Sequence, residues 1–587
     1  MQTRIKTEAE DFINNEKQFQ LGMLPTEQSN PATRGIDKIF AKDVEAGIKT
    51  LLSVDREVVK MAEKIFAGAE YLKLKKTALE VLKNGGRIIF SGCGATGRLS
   101  ILLESIWRRF FVELKETDSE SYQKMSRFEN QIFSIMTGGD YALIRSVESF
   151  EDYQEFGRQQ VRELEIGNSD MLVAITEGGE TSSVLGTIAE CLNRGAETFL
   201  MFNNPADILC QYIERSREAI QNPKVTVLDL YCGPMAIAGS TRMQATTSEQ
   251  LIGGGLLEDI MLELMTENLP VETLKQTGFE KQDYAKEFGK LLDDLLSDAN
   301  LNAMADLINF EAEIYRKEGL ITYLADDYLL DILTDTTERA PTFMLPPFKK
   351  CDDKKSPSSW AFVKNPGYTT ADAWLKVFCR KPRCLDWNQN RYAQLNAPEK
   401  IKNNPPLLDA NELFKFQIGN ENDPFRLEKE CNAAVAVLTG SETIKKSYDK
   451  FNSDFERYSQ PFATRKRLII GKSSQAEKAD FFIDCDTGSS PLKLMDHMAI
   501  KLVLNTISTS TMILLGRVES NWMSWVEVSN KKLRDRGIRL ISEICGLNYK
   551  DACYALHETI IEMEKIDFSD KAKPSPVQET IKKFKNK

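Results

Sequence analysis

The stretch Arg87–Phe110, RIIFSGCGATGRLSILLESIWRRF, decides the fold. Ile88, Ile89 and Phe90 follow the Gly85-Gly86 break as a short apolar run bounded by glycines, the pattern of a buried strand. Gly92, Gly94 and Gly97 then space a tight turn, and Leu99, Ile101, Leu102 and Trp107 recur at helical intervals. A glycine-rich loop therefore joins a strand's end to a helix's start, where exposed N–H groups and the helix dipole favour a phosphate. Gly-x-Gly-x-x-Gly alone also fits a packing turn without ligand, or a dinucleotide site. A dinucleotide wants an acidic residue closing the next strand. That strand, Gln131–Met136, ends in Thr-Gly-Gly, so no cofactor is expected.

Outward from this loop, short apolar runs alternate with helical stretches: Ile88–Phe90, Ile132–Met136, Met171–Ile175, Thr198–Phe202 and Val225–Leu230. Such alternation predicts a parallel sheet covered on both faces. Residues 270–315 read as charged amphipathic helices, and the alternation then restarts with Leu320–Ala325, Thr342–Phe348, Ala433–Gly440, Arg467–Lys472 and Asp480–Asp486. The chain reads as an internal duplication. The second copy carries Ala325-Asp326-Asp327-Tyr328 where the first has Gly94-Ala95-Thr96-Gly97, and carboxylates there would repel phosphate. Lys349–Pro424, with three tryptophans and many Pro and Asn, reads as an insertion or flap. The expected division is a helical arm over 1–60, a first α/β domain over 61–270, a second over 271–510 containing the insertion 349–424, and a helical lid over 511–587. The lid ends in a KAKPSP linker and a solvated charged tail.

With 587 residues, two or three domains with sizeable cores are expected. A net charge of −11 disfavours a nucleic-acid partner. No apolar run approaches a membrane span and the N-terminus lacks the apolar core of a secretory signal, so the expected location is cytoplasmic. The cysteines are scattered, which predicts reduced thiols. His497 and His557 both sit in apolar helical patterns, so neither a serine triad nor a metal site is expected.

Four stretches, LPTEQSNPAT, GGRIIFSGCGATGRLS, GPMAIAGSTRMQATTSEQL and NTISTSTMILLGRVESNWM…SNKKLRDR, together resemble the sugar isomerase (SIS) domain proteins of the N-acetylmuramic acid 6-phosphate etherase type. In having two copies and a lid, the chain also resembles the glucokinase regulatory proteins of that family. The resemblance runs from about residue 24 to 550. It implies two flavodoxin-like SIS domains of five parallel strands in tandem, a C-terminal helical lid, and a phosphosugar site where the copies meet. One chain holding both halves of a family dimer makes a monomer the expected state.

Residue by residue, the resemblance places Gly94, Ala95 and Thr96 against the phosphosugar, with Thr176, Gly178 and Thr181 in a second, hydroxyl-rich phosphate loop. A hydroxyl beside a helix start is a sound anion seat on physical grounds too. Glu177 and Glu180 complicate that loop, because a carboxylate there weakens phosphate binding unless it points away. Arg242, Lys532 and Arg536 match cationic positions; the last two are i and i+4 and share one helix face.

The etherases use two glutamates, an acid for the departing lactate oxygen and a base for the proton alpha to it. The base position is kept as Glu151. The acid position is Ile106, which transfers no proton. Glu104 lies about 200° around the helix from it, and Glu338 of the second copy matches a glutamate of the regulatory proteins. The expectation is therefore a non-catalytic sensor that binds a hexose phosphate or amino-sugar phosphate and regulates a partner, by resemblance a sugar kinase. The alternative is a phosphosugar lyase or isomerase with Glu151 as base and Glu338 or Glu104 as acid.

Overall fold

The computed structural model describes residues 2–147, 149–528, 530–568 and 573–585. Helix α1 (Gln2–Asn15) leads into the passage Leu24–Asp37, where Pro25 and Pro31 each open a single short turn. The first sheet holds β1 (Ile88–Gly92), β2 (Ile132–Met136), β3 (Met171–Ile175), β4 (Glu197–Phe202) and β5 (Val225–Asp229) in the order β2-β1-β3-β4-β5, all parallel. The second holds β6 (Leu320–Leu324), β7 (Ala361–Lys364), β8 (Asn432–Thr439), β9 (Thr464–Ile470) and β10 (Phe481–Ile483) in the order β10-β9-β8-β6-β7. Both sheets follow one rule, second-first-third-fourth-fifth, the flavodoxin-like order. The duplication seen in the sequence is thus a duplication of topology.

Successive residues of β1 feed different cores. Ile88 and Phe90 belong to the large central one and Ile89 to a smaller one on the opposite face. Burial of both faces is why these strands read as unbroken apolar runs.

Between and after the strands run α2 (Ala95–Thr117), α3 (Ser182–Asn193), α4 (Gln244–Asn268), α5 (Leu329–Phe343), α6 (Thr370–Phe378) and α7 (Leu494–Leu514). Leu103 of α2, Leu256 of α4, Leu333 of α5 and Val503 of α7 lie in a single buried cluster, so the two copies share one core. The lid consists of α8 (Lys531–Cys545), α9 (Tyr549–Met563) and α10 (Pro576–Lys585). It packs on α1 as well as on itself.

Three expectations differ from the structure. Thr342–Phe348 is not a strand: α5 runs through Phe343 and the chain continues irregularly past Pro346 and Pro347, which lack the N–H groups that a ladder needs. The second strand of copy two is Ala361–Lys364, inside the segment read as an insertion, and that segment also supplies α6 against α2. The charged tail is not free either, because Val577 and Ile581 of α10 are buried against the lid. Lys571 and Ala572, the start of the expected linker, lie outside the described residues.

Candidate functional site

The strand-to-loop junction of copy one is set by sterics. A Cβ on Gly92 would lie 2.4 Å from the carbonyl carbon of Thr96, so the strand's end and the helix's start close only on glycine. Gly94 holds φ 58°, ψ −123°, which costs L side chains strain. Thr96 Oγ1 then accepts from the Cys93 N–H at 3.0 Å and donates to the Cys93 carbonyl at 2.9 Å, fixing the turn. Cys93, Gly94 and Ala95, where α2 begins, line a cavity.

That cavity, about 390 Å³, is walled by both copies and the lid. Of the residues singled out in the sequence, Gly94, Ala95, Glu151, Gly178, Thr181, Arg242, Glu338, Lys532 and Arg536 line it. Thr96 and Thr176 do not. Thr96 is spent on Cys93, and Thr176, fully buried, donates to Thr181 Oγ1 at 3.0 Å. Two wall residues keep a buried polar atom without a protein partner, Arg242 Nε and Ser240 Oγ. The N-terminus of α3, at Ser182, opens next to Thr181 and Gly178, so two helix dipoles converge on the cavity.

The cations of the site are already engaged. Arg242 donates to Asp335 at 3.1 Å, Ser508 at 3.1 Å and Thr509 at 2.9 Å. Lys532 reaches Glu180 at 2.9 Å, and Arg536 makes a two-pronged contact with Glu27 at 2.9 and 2.7 Å. Burial works against the charge of Lys532, but Glu180 and Glu27 outweigh it and hold its pKa above the ordinary range. Glu180 itself, despite burial, is held down at about 2 by Lys532 and Arg215. Glu180 therefore answers one doubt raised by the sequence, since it is neutralised by cations.

Glu27, in the LPTEQSNPAT stretch, was given no role from sequence. It gathers Arg536, Arg539 and Lys532 across 500 residues of chain and ties the lid to the arm. Nothing in the local sequence distinguishes it.

The carboxylates are the chemical content of the cavity. Glu151 is exposed to the cavity; loss of solvation among the surrounding protein pushes its pKa up, Lys532 opposes the rise, and Asp152 and Glu180 add to it. Glu177 also lines the cavity, and burial followed by the charge of Glu338 pushes it up to about 7. It does not point away. Glu338, from α5 of copy two, accepts from Arg98 of α2, which also donates to the Leu143 carbonyl at 2.9 Å and Thr337 at 3.0 Å.

The structure corrects the argument from Ile106. Ile106 lines a different cleft, with Asp327 and Tyr328 of copy two's own loop. The first strands begin at Ile88 and Leu320, each paired with its sheet's third strand, an offset of 232. Adding 232 to 106 gives 338, so Glu338 stands in copy two where Ile106 stands in copy one, and each reaches across to the other copy's loop. The second cleft has closed to about 10 Å³, room for a single water. Asp327 takes Lys445 at 2.6 Å and Arg109 at 3.4 Å there, and Glu113 takes Lys445 at 2.9 Å and Lys493 at 2.6 Å. Glu104 is not in either cavity: it is buried among Arg108, Arg380, Arg383 and Ser134. His497 pairs with Asp331 at 2.8 Å and His557 with the Cys553 carbonyl at 2.8 Å. Among the described residues no His/Cys/Asp/Glu cluster fit for a metal occurs, and no helix is long and apolar enough to cross a membrane.

Residues 72–192, which carry the first loop and α2, match the model of the Glucokinase regulatory protein N-terminal SIS domain. These residues are a sugar isomerase (SIS) domain. The chain is similar to N-acetylmuramic acid 6-phosphate etherase 1 of Bacillus licheniformis, 28% identical over 43% of this chain and 74% of that one. It is also similar to the N-acetylmuramic acid 6-phosphate etherase of Glaesserella parasuis, 28% identical over 40% of this chain and 66% of that one. Among solved structures, the tagatose-6-phosphate ketose/aldose isomerase of Escherichia coli aligns at 10% identity with a TM-score of 0.42, over 84% of this chain and 99% of that one.

Proposed function

We propose that this SIS chain is a phosphosugar lyase of the N-acetylmuramic acid 6-phosphate etherase type, working at one site between its two copies. The observation that carries the reading is the placement of Glu338. The acid position counted as lost at Ile106 belongs to the closed cleft, and its counterpart at the open cavity is a carboxylate facing the same space as Glu151. A carboxyl group to take a proton from carbon, facing a wall of carboxyl groups that can supply one to oxygen, is what elimination of an ether requires. The phosphate would sit on the N–H groups where α2 and α3 begin, with Ser240 Oγ and Arg242 Nε unspent beside it. Glu151 takes the proton alpha to the ring-opened aldehyde of an amino-sugar phosphate, and the lactyl oxygen leaves toward the wall formed by Glu338.

A regulatory reading, a sugar-phosphate sensor acting on a sugar kinase, is favoured by one observation. Lys532 and Arg536 are held by Glu180 and Glu27 before any ligand arrives, so a phosphate that draws on them must exchange partners with the lid and shift its position. The two readings separate in one experiment. Purified protein is incubated with N-acetylmuramic acid 6-phosphate and with fructose, glucosamine and N-acetylglucosamine phosphates, while thermal stability and lactate are followed together. Lactate release that disappears in Glu151→Gln, with ligand stabilisation retained, supports the lyase. Stabilisation by a phosphosugar that stays chemically unchanged refutes it in favour of the sensor.

A further inference from the structure

The etherase pattern accounts for Glu151 and Glu338 but not for a third carboxyl group on the same wall, Glu177. It follows β3 in the loop before α3, where its carbonyl accepts the Asn203 N–H at 3.0 Å, so its backbone is pinned to the end of β4. Its side chain faces the cavity beside Glu338. Behind it, on α4, lies Glu249, fully buried, with Oε1 on the Asn203 amide at 3.0 Å and Oε2 without a partner. Three carboxyl groups thus lead from the cavity wall into the core.

Their surroundings differ. Glu338 is paired with the buried Arg98 guanidinium. Among the described residues Glu177 has no cation in contact; its hydroxyl neighbour, Thr246, stands at 3.4 Å. The charged groups around it are Glu338 on α5, Glu249 on α4, Lys532 and Arg536 on the lid, and Glu151, Asp152 and Arg242 across the cavity. Of these Lys532 opposes a proton there, and it is shared with Glu180 and Glu27. Two carboxyl groups close together and unequally served by cations divide their protons unequally. The same burial and repulsion that lift Glu177 to about 7 lift Glu249 well above the ordinary range.

Resting on the lyase reading above, we propose that Glu177 is the proton donor of this cavity, passing its carboxyl proton to the departing ether oxygen, while Glu338, paired with Arg98, stands beside it. Glu151 accepts the proton from the carbon alpha to the aldehyde, that electron pair forms the C=C bond, the neighbouring C–O bond breaks, and the freed oxygen takes the proton of Glu177. Water then adds its oxygen where the ether stood; Glu151 returns its proton to carbon and Glu177 is reprotonated by that water. Net, one ether and one water give a sugar phosphate and lactate.

The test compares wild type, Glu177→Gln and Glu338→Gln on the lactyl ether and on the same phosphosugar carrying fluoride in place of lactate, since fluoride leaves without a proton. Glu177→Gln is expected to cut lactate release by about 10²-fold or more while leaving fluoride release within about threefold. Activity that needs a protonated Glu177 falls as pH rises through its pKa. Glu338 raises that pKa, so Glu338→Gln should move the alkaline limb to lower pH. A carboxyl infrared band that titrates near neutral pH in wild type and is missing from Glu177→Gln reads the proton without turnover. Equal loss of both leaving groups in Glu177→Gln, or an intact Glu177→Gln beside a dead Glu338→Gln, overturns the assignment and leaves the lyase standing. Wild type that releases neither product overturns both.

Discussion

Glu27→Gln should release the lid. The carboxylate is 2% exposed and receives Arg536 at 2.7 Å and Arg539 at 3.2 Å, with Lys532 at 3.8 Å. Burial alone would raise its pKa, but these three cations lower it from 4.5 to about 2. Such a depression amounts to about 3 kcal/mol of folded-state stabilisation at neutral pH. Because the folded pKa is the lower one, this contribution is complete above 4.5 and drains away as pH falls toward 2. The glutamine keeps the shape and removes the charge, leaving three cations facing one another. The three cations all sit on α8, so the loss should appear locally. Amide exchange across α8 and α9 should quicken by about 100-fold at neutral pH, and the acid dependence of wild-type exchange as pH falls from 4.5 toward about 2 should flatten. Exchange within about threefold of wild type across the lid would refute the assignment of Glu27 as its anchor.

Two further substitutions probe the site's geometry. Swapping the pseudo-equivalent residues should be asymmetric: Glu338→Ile lowers lactate release by about 10²-fold or more, while Ile106→Glu leaves it unchanged and is felt only in stability, and rescue or loss of turnover by Ile106→Glu would show that the helices serve their own loops. Thr96→Val strips both contacts to Cys93 and should cost about 1–3 kcal/mol in denaturant unfolding, with weaker phosphosugar binding by calorimetry; unchanged affinity would mean that the loop's N–H groups do not seat the ligand.

The central strands of copy one were legible because they are buried on both faces and bounded by glycine or polar turns, which leaves an unambiguous apolar run such as Met171–Ile175. In copy two the same rule misfired. Thr342–Phe348 is as apolar as a strand, but Pro346 and Pro347 cannot donate to a ladder, while the true strand, Ala361–Lys364, is only four residues long and hides between Trp360 and Asn365-Pro366. The wall of the cavity was legible from motif positions. The state of its charges was not, because Glu180 meets Lys532 from 352 residues away and Glu27 meets Arg536 from 509. Local sequence cannot show that a carboxylate is neutralised by a distant lid, nor that Glu177 lacks such a partner.

Ile106 was legible as a residue and misleading as an argument, and the reason is the interface. If each long helix served its own copy's loop, the chain would combine its intact phosphate loop, Gly94-Ala95-Thr96, with an isoleucine, and its acidic loop, Asp326-Asp327, with a glutamate. Neither pairing would make a working site. Crossed service gives the opposite result: the intact loop meets Glu338, and the acidic loop meets Ile106. One combination keeps a cavity of about 390 Å³ with Glu151 in it, while the other has shut around its own ion pairs to about 10 Å³. Both halves of one site are retained and both halves of the other altered, a concordance that follows when each helix reaches across the interface and has no explanation when it does not. Turnover in this chain should therefore have the stoichiometry of one site per chain, with the closed cleft contributing only to how firmly the copies hold together.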